Sequence, residues 1–497
     1  MKLNLIAVLL IVFHWSGALS TPLSGEDVKW LNRITYGINS QTVESYQKQG
    51  RKSYLDAQLN SGVDDKLPAT VSDMISKLVI EQKPVEVIVG DLKQEEQRIR
   101  KLPVKEKSKA QKARNRFMNS LVKESIQRHL LRAVHSPAQV KEQMTWFWLN
   151  HFSIFRAKGA VRYLLADYET SAIRPHVLGK FRDMVMATLR HPAMLVYLDN
   201  SHNAVGKINE NYARELMELH TLGIDGGYSQ QDVQELARIL TGAGISWTDK
   251  PVKHLDKKLE RYYLRDGSFV FNPKRHDFGE KQFLGKKIGG DGFGEIEQVV
   301  DMLARHPSTA RFISHKLAVY FVSDIPPPAL VERMAKTFQS SDGDIAATLH
   351  TLFESEEFVA SLGKKISDPM HYIVAALRFA YDGQSIAELS PAIDWLDKLG
   401  EPLYGHLTPD GYGMTEKDWI SSGQLTKRFE IAKQIVNSKL SSADKTAILK
   451  AQKLSDKPLY QTIEPILSAQ TKAALAKAAS AEEWNSFLLS APEFIYR

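Results

Sequence analysis

The chain contains no cysteine among its 497 residues. That absence removes every thiolate chemistry at once: no cysteine nucleophile, no zinc ribbon, no iron–sulfur cluster and no thioether-linked haem. A chain of this length buries enough apolar surface to fold without disulfide staples, so stability does not suffer. Long apolar runs are also missing. Beyond the amino terminus no stretch reaches the roughly 18 consecutive apolar residues that a membrane helix needs, so no transmembrane span is expected. HExxH, P-loop, EF-hand and GxSxG signatures are absent. The string GGDGFG at 289–294 lacks the preceding strand of a dinucleotide fingerprint. Charge of one sign is scarce: a net +7 with a pI near 9.1 is thin over this length and argues against nucleic acid as a partner, while allowing mild attraction to anionic polymers.

What is present begins at the amino terminus. Lys2 precedes an apolar run from Leu3 to Phe13, and the small residues Ala18 and Ser20 precede Thr21. This is the pattern of a signal peptide, and Pro22, Ser24, Gly25 and Glu26 follow where a stop-transfer segment would stay hydrophobic. The expectation is a cleaved leader, residues 1–20, and a chain 21–497 that works in the periplasm or outside the cell.

Helical punctuation recurs along that chain. Ser136 is placed to cap a helix with Pro137 in its first turn and Gln139 closing a capping box. His191-Pro192 and His306-Pro307 mark joints between helices, because proline is tolerated only in a first turn. Ala310, Ile313, Leu317 and Tyr320 form one core-facing stripe, ended by Pro326, Pro327 and Pro328. The segment 91–116, rich in Lys, Arg, Gln and Glu around Pro103, reads as a solvated helix pair or a mobile excursion, with a functional polybasic patch as the sharper alternative. Aromatic and β-branched residues flank Asp266-Gly267, a strong hairpin signal. The fold class is therefore mostly α, a multi-helix orthogonal bundle in one unit with a small β-hairpin insert around residues 261–288.

The stretch NENYARELMELHTLG, 209–223, carries the densest polar chemistry. At 100° per residue Glu210, Asn211, Arg214, Glu215 and Glu218 share one arc, and Tyr212, Ala213, Leu216, Met217 and Leu219 the other. Gly223 suits the helix end, and Ser229 with Asp232 a capped start for the next helix. The bland reading of the arc is an exposed charge ladder. The functional reading is a cleft in which crowded carboxylates raise one pKa and suit acid or base work. His220 falls on the apolar side, and His151 shares an inward stripe with Val140, Met144, Phe147 and Phe155, whereas Asn150 points elsewhere. His276-Asp277, with Lys281 four residues on, lies in the loop after the hairpin, as a metal or proton-transfer pair or as a simple Asp turn.

The ordered series WLNRITYG, WFWLNHF, NENYARELMELHTLG, YSQQDVQELARILTG, HDFGEKQFLG, HPSTARFISHKLAVYFV, LTPDGYGMTEKDW and APEFIYR resembles the bacterial family called domain of unknown function 1800 along nearly the whole chain. The resemblance implies a secreted, largely helical protein, often encoded beside an exported family called domain of unknown function 1501, and it implies no established activity. The family's polar positions correspond to His151, Asn209, Glu210, Arg214, Glu215, Glu218, Asp232, Arg238, His276, Asp277 and Lys281. Where the family often has Phe this chain has His220, which argues against an essential ligand there.

Together these residues suggest one polar site. Glu215, Glu218, Arg214, His276 and Asp277 are its catalytic candidates. His151, Glu215, Glu218, His276 and Asp277 are candidates for holding a divalent metal. Asn209, Glu210, Arg238 and Lys281 are candidates for binding substrate. The reaction would be a metal- or carboxylate-dependent hydrolysis or transfer on an envelope or extracellular polymer. The alternative is a non-catalytic helical module that assembles with a co-exported partner of the 1501 family. Haem held by His151 and His276 is a third option compatible with export.

Overall fold

The computed structural model describes residues 23–60, 62, 65–248, 255–289, 291–386, 389–438, 440 and 452–497. The expected leader, 1–20, lies outside the described residues.

Two buried helices organise the interior. Helix Gln139–His151 is buried at all positions but Lys141 and Asn150, and helix Pro369–Tyr381 is buried along its whole length. Neither sequence has a polar face, so each must be surrounded by other elements. Trp148 and Phe147 from the first, Phe152 just after it, and Tyr372 from the second are among the largest fully buried side chains. Each such residue stabilises the fold by about 1.5–3 kcal/mol relative to exposure. One hydrophobic cluster runs from Val28 to Leu489.

The proline joints fall where expected. Helix Pro192–Tyr197 follows His191, whose ring nitrogen accepts from the Ala193 amide at 3.1 Å. Helix Pro307–Phe321 follows His306, whose Nδ1 accepts from the Ser308 amide at 3.2 Å. In both, imidazole does the work usually given to Ser or Asp at an N-cap. Helix Pro328–Ser340 starts at the third proline of its run and packs back on Pro307–Phe321. The Ser136 cap is different. The helix begins at Gln139 after Ala138, and the Gln139 amide nitrogen donates to the carbonyls of Ser136 and Ala133, at 2.7 and 3.1 Å, while its oxygen accepts from the Tyr36 amide at 3.0 Å. Burial of Gln139 decides this: a sealed amide has to satisfy both ends, and the 133–136 and Tyr36 segments meet on it.

The charged segment is a helix pair, Val85–Lys101 and Val104–His135, reversing at Leu102 and Pro103. The β insert is larger than one hairpin. Strands β1 (Ala243–Ile245), β2 (Leu264–Asp266) and β3 (Phe269–Phe271) form an antiparallel sheet in the order β1-β3-β2, and β4 (Lys281–Phe283) pairs with β5 (Lys286–Ile288). Gly267 makes the first turn as expected. The second turns on Leu284 and Gly285, both at positive φ, and leucine is a residue that sequence patterns do not read as a turn former.

A buried ionic network ties the centre together. Arg174 donates to both oxygens of Glu142 at 2.8 and 2.6 Å and lies 3.5 Å from Glu169. The Tyr404 hydroxyl donates to Glu169 at 2.7 Å, and His129 Nδ1 stands 3.2 Å from the same carboxylate. Burial opposes the charge on Glu169, but His129, Arg128 and Arg174 outweigh it and hold the carboxyl well below its usual range. Arg174→Ala leaves two sealed carboxylates without their shared cation, so a stability loss of about 3–5 kcal/mol is expected by urea unfolding. A loss under about 1 kcal/mol, the scale of an exposed pair, would show that the network is not buried as described.

Candidate functional site

The polar arc of 209–218 is anchored at one end and open at the other. Helix Asn211–Glu215 passes directly into a π-helical turn, Leu216–Thr221, in which the Leu222 amide donates to Met217 at 2.8 Å. Such wide turns recur at functional sites. Asn209 turns the chain into the helix by accepting from the Asn211 amide at 3.0 Å. Arg214 bonds Glu210 at 3.1 Å and Gln230 at 2.9 Å, so the ladder runs toward the amino end of the helix and leaves Glu218 out.

Glu215 and Glu218 are partly buried. Burial raises the Glu215 carboxyl, and the charges of Glu218 and Asp410 raise it further against the pull of Arg214. Lys316, from helix Pro307–Phe321, lies with its ammonium 5.6 Å from the centre of the Phe312 ring. Burial lowers its pKa to about 8, with Asp410 acting in the opposite direction. Among the described residues no carboxylate comes within ion-pair distance of it.

Behind this polar edge sits an aromatic shell. His151 Nε2 meets the His220 carbonyl at 3.0 Å, and the two rings are 6.0 Å apart. Phe147, Trp148, Phe152, Phe181 and Phe312 pack around His151. His151 Nδ1 and His220 Nε2 are buried with no hydrogen-bond partner. Burial first, then the Lys316 charge, holds both imidazoles below their ordinary range, His220 at about 3. Gly223 closes the π turn at φ +81°, where a Cβ would stand 2.9 Å from the Phe312 ring.

Asn150 is what brings Asp410 here. Its side-chain amide donates to the Tyr412 carbonyl at 3.0 Å and accepts from the Tyr412 amide at 2.7 Å. Gly411, at φ +75°, passes so close that a Cβ would lie 2.2 Å from the Asn150 carbonyl oxygen. The motif LTPDGYG is thus clamped to the helix that carries His151. Tyr197 adds a hydroxyl bond to the Leu407 carbonyl at 2.9 Å.

The structure divides the sequence-selected residues between two places. His151, Asn209, Glu210, Arg214, Glu215 and Glu218 belong to the region just described. His276, Asp277 and Lys281 belong to the β insert, and Arg238 reaches them from helix Gln230–Ile239. There Glu295 lies 2.8 Å from Lys281 and 3.4 Å from His276, with all three side chains sealed. Lys281 also donates to the carbonyls of Asp277 and Gly279. Arg238 bonds Asp277 at 2.8 Å and Glu235 at 2.9 Å, and that bond to Arg238 is the chief reason the Asp277 carboxyl is held below its usual value. Helix Gln230–Ile239 bonds to both places, through Gln230 on one side and Arg238 on the other. Among the described residues no hydrogen bond or ion pair joins the two groups directly. No three of His, Asp or Glu come together there as a metal ligand set.

Sequence reasoning missed Lys316, Asp410 and Glu295. Lys316 sits one residue from core-facing Leu317, and Asp410 needed the fold to reach Glu215. Glu295 had a readable signal: it is four residues before Val299 on a helix whose Ile296, Val300 and Leu303 are buried.

The buried rings make stability depend on pH. Between His220's ordinary value of 6.5 and its folded value of about 3, the unfolded chain binds a proton that the folded chain does not. Stability is therefore lost as pH falls through that window, by at most about 1.4 kcal/mol per pH unit. His220→Phe removes this dependence and keeps the carbonyl that receives His151. Urea unfolding from pH 6.5 to 4.5 should cost the wild type about 2–3 kcal/mol more than the variant. Equal losses would show that the folded protein protonates this ring freely.

Comparison with curated proteins and with solved structures finds no match. A family profile does match, over residues 29–496, and spans both the Glu215 region and the β insert. The chain belongs to the family described as "Protein of unknown function (DUF1800)".

Proposed function

We propose that the protein is a carboxylate-dependent hydrolase or transferase that acts on a polymer of the cell envelope or exterior, with Glu215 at its centre. The observation that carries this reading is a partly buried carboxyl, raised by burial and by Glu218 and Asp410, with Asp410 also acting on the Lys316 ammonium, which no carboxylate pairs among the described residues. A raised carboxyl keeps its proton nearer neutral pH and serves as a general acid, Glu218 is placed three residues on to act as base, and the Lys316 charge favours negative charge developing on a substrate oxygen. Neutral, half-satisfied imidazoles behind the site keep its inner wall weakly polar, which strengthens these interactions. Asp410 and Leu407 are exposed, so the edge is open and accepts an extended chain. The absence of a three-residue ligand set among the described residues favours the carboxylate form of the reading over the metal form. His276 and Asp277 fall outside it, since their partners are Glu295, Thr241 and Arg238. The amino-terminal pattern of residues 1–20 supports export as part of the same proposal.

A second reading takes support from exposed apolar side chains in the segments that flank the site in sequence: Ile224 is 73% exposed, Leu407 68%, Val205 49% and Ile208 41%. Such side chains suit a protein partner, and an exported protein of the 1501 family is the candidate. The paired variant Ile224→Asp/Leu407→Asp should abolish capture of that partner in a binding assay, whereas Glu215→Gln should leave capture intact. Capture that survives the paired variant removes this reading.

The catalytic reading is tested by incubating the protein with purified cell-wall sacculi and with acidic and neutral exopolysaccharides, reading soluble fragments by mass spectrometry. Glu215→Gln should reduce fragment release by about 10²–10⁴-fold with unchanged melting temperature. Lys316→Met should lower it as well. Undiminished release by Glu215→Gln, or no release from any of the polymers by the wild type, would overturn the assignment.

A further inference from the structure

Helix Val104–His135 carries a feature that the Glu215 site does not use. Counting 100° per residue, Lys105, Lys109, Lys112, Arg116 and Lys123 fall within an arc of about 60°. All five are exposed. They form a stripe about 27 Å long at 1.5 Å per residue, with close to one positive charge per turn over its first three turns. The helix turns its opposite side to Val85–Lys101: Met118 and Leu121 pack with Ile88 and Leu92, and Arg114 bonds the Leu92 carbonyl and Glu96, each at 3.5 Å. The stripe therefore points away from the body of the protein. Its acidic neighbours Glu106 and Glu124 lie about a quarter-turn to one side. Elsewhere on the pair, Arg98 and Arg100 are paired with Glu95 and Glu96. Among the described residues none of the five stripe cations has an ion-pair partner.

An unpaired, single-file row of cations repels itself and weakens the helix that bears it, since like charges at i,i+4 are unfavourable. Its amino-terminal end is also the wrong end for lysine, where the helix dipole favours negative charge. Such a row gains a favourable term only when an anion covers it.

We infer that this stripe is a docking surface for a linear polyanion with one carboxylate or phosphate per repeat, the chemistry of an acidic polysaccharide. Two features select that partner. The row is straight and one residue wide, which fits a single strand and not a duplex. It carries no apolar side chain, so it offers a lipid surface charge but nothing to insert. The inference is independent of Glu215, because it concerns binding and not turnover.

The test is calorimetric titration of the full chain with polygalacturonate, a linear chain with one carboxylate per sugar, beside neutral pullulan, phosphatidylglycerol-containing vesicles and duplex DNA. Polygalacturonate should bind and pullulan should not. With five contacts, affinity should fall roughly a hundredfold between 50 and 200 mM salt, as counterion release requires. The variant Lys109→Glu/Lys112→Glu/Arg116→Glu should bind at least tenfold more weakly, with an unchanged melting temperature because the three side chains are exposed. A control of equal net charge, Lys257→Glu/Lys258→Glu/Lys336→Glu, should bind as the wild type does. An equal loss in the control would reduce the effect to net charge and overturn the inference. So would failure to bind polygalacturonate, or tighter binding to the vesicles or to DNA, which would assign the stripe to lipid or nucleic acid instead.

Discussion

A helix buried on nearly every side has nowhere to put a polar group except against another part of the chain, and several side chains of helix Gln139–His151 do this. Gln139 binds the Tyr36 amide, Glu142 binds Arg174, Gln143 reaches the Arg33 carbonyl and Arg497, Trp148 reaches the Val177 carbonyl, Asn150 clamps Tyr412, and His151 meets the His220 carbonyl. Leaving any one unsatisfied costs about 1–3 kcal/mol. The fold is therefore specified by long-range polar bonds laid over an apolar core, and the site inherits its geometry from them. Asn150 and His151, adjacent in sequence, send their side chains to the Asp410 loop and to the π turn that follows Glu215, so one helix end holds both segments.

The two polar places differ in how completely charge is compensated. Around the β insert, Lys281 has Glu295 at 2.8 Å and two carbonyls, and Arg238 of the adjoining helix has two carboxylates. Lys281 has been taken out of water only because its partners replace the water, which is the condition for a buried ion pair to be tolerated. At the other place burial is imposed on Glu215 and Lys316 without such partners, and the result is a shifted proton affinity instead of a stable pair. The first arrangement locks the insert onto helix Gln230–Ile239, and the second leaves groups able to exchange protons or hold a ligand's charge.

Local rules carried the sequence reading a long way. Proline joints, the Ser229 and Asp232 capping box, the Gly267 turn, the stripe of Ala310 to Tyr320 and the inward direction of His151 and His220 are all properties of a few neighbouring residues, and the fold keeps them. What sequence could not show was set by tertiary contact. The Ser136 hydroxyl accepts only from the Ala138 amide, while the Gln139 side chain, instead of closing a capping box, ties the 133–136 segment to Tyr36. Asn150, partly exposed on its own helix, becomes the clamp for Gly411. His276 and Lys281 look like free site residues until Glu295, fourteen positions after Lys281, seals them. The same limit applies to Lys316, whose neighbours come from the 209–223 and 405–414 segments.

The Glu215 region is where several independent rules of a stable fold are broken together. Two ring nitrogens, on His151 and His220, are buried without partners, an ammonium lies against an aromatic ring without a counter-ion among the described residues, and a carboxyl is crowded by two others. Each is unfavourable by itself, and a fold selected for stability alone would replace His220 with a hydrocarbon and pair the lysine. The aromatic shell, the Gly223 approach and the Asn150 clamp spend packing and hydrogen bonds on holding these groups in place. These departures from local consistency gather around a wide helical turn, and the role proposed for Glu215 rests on them.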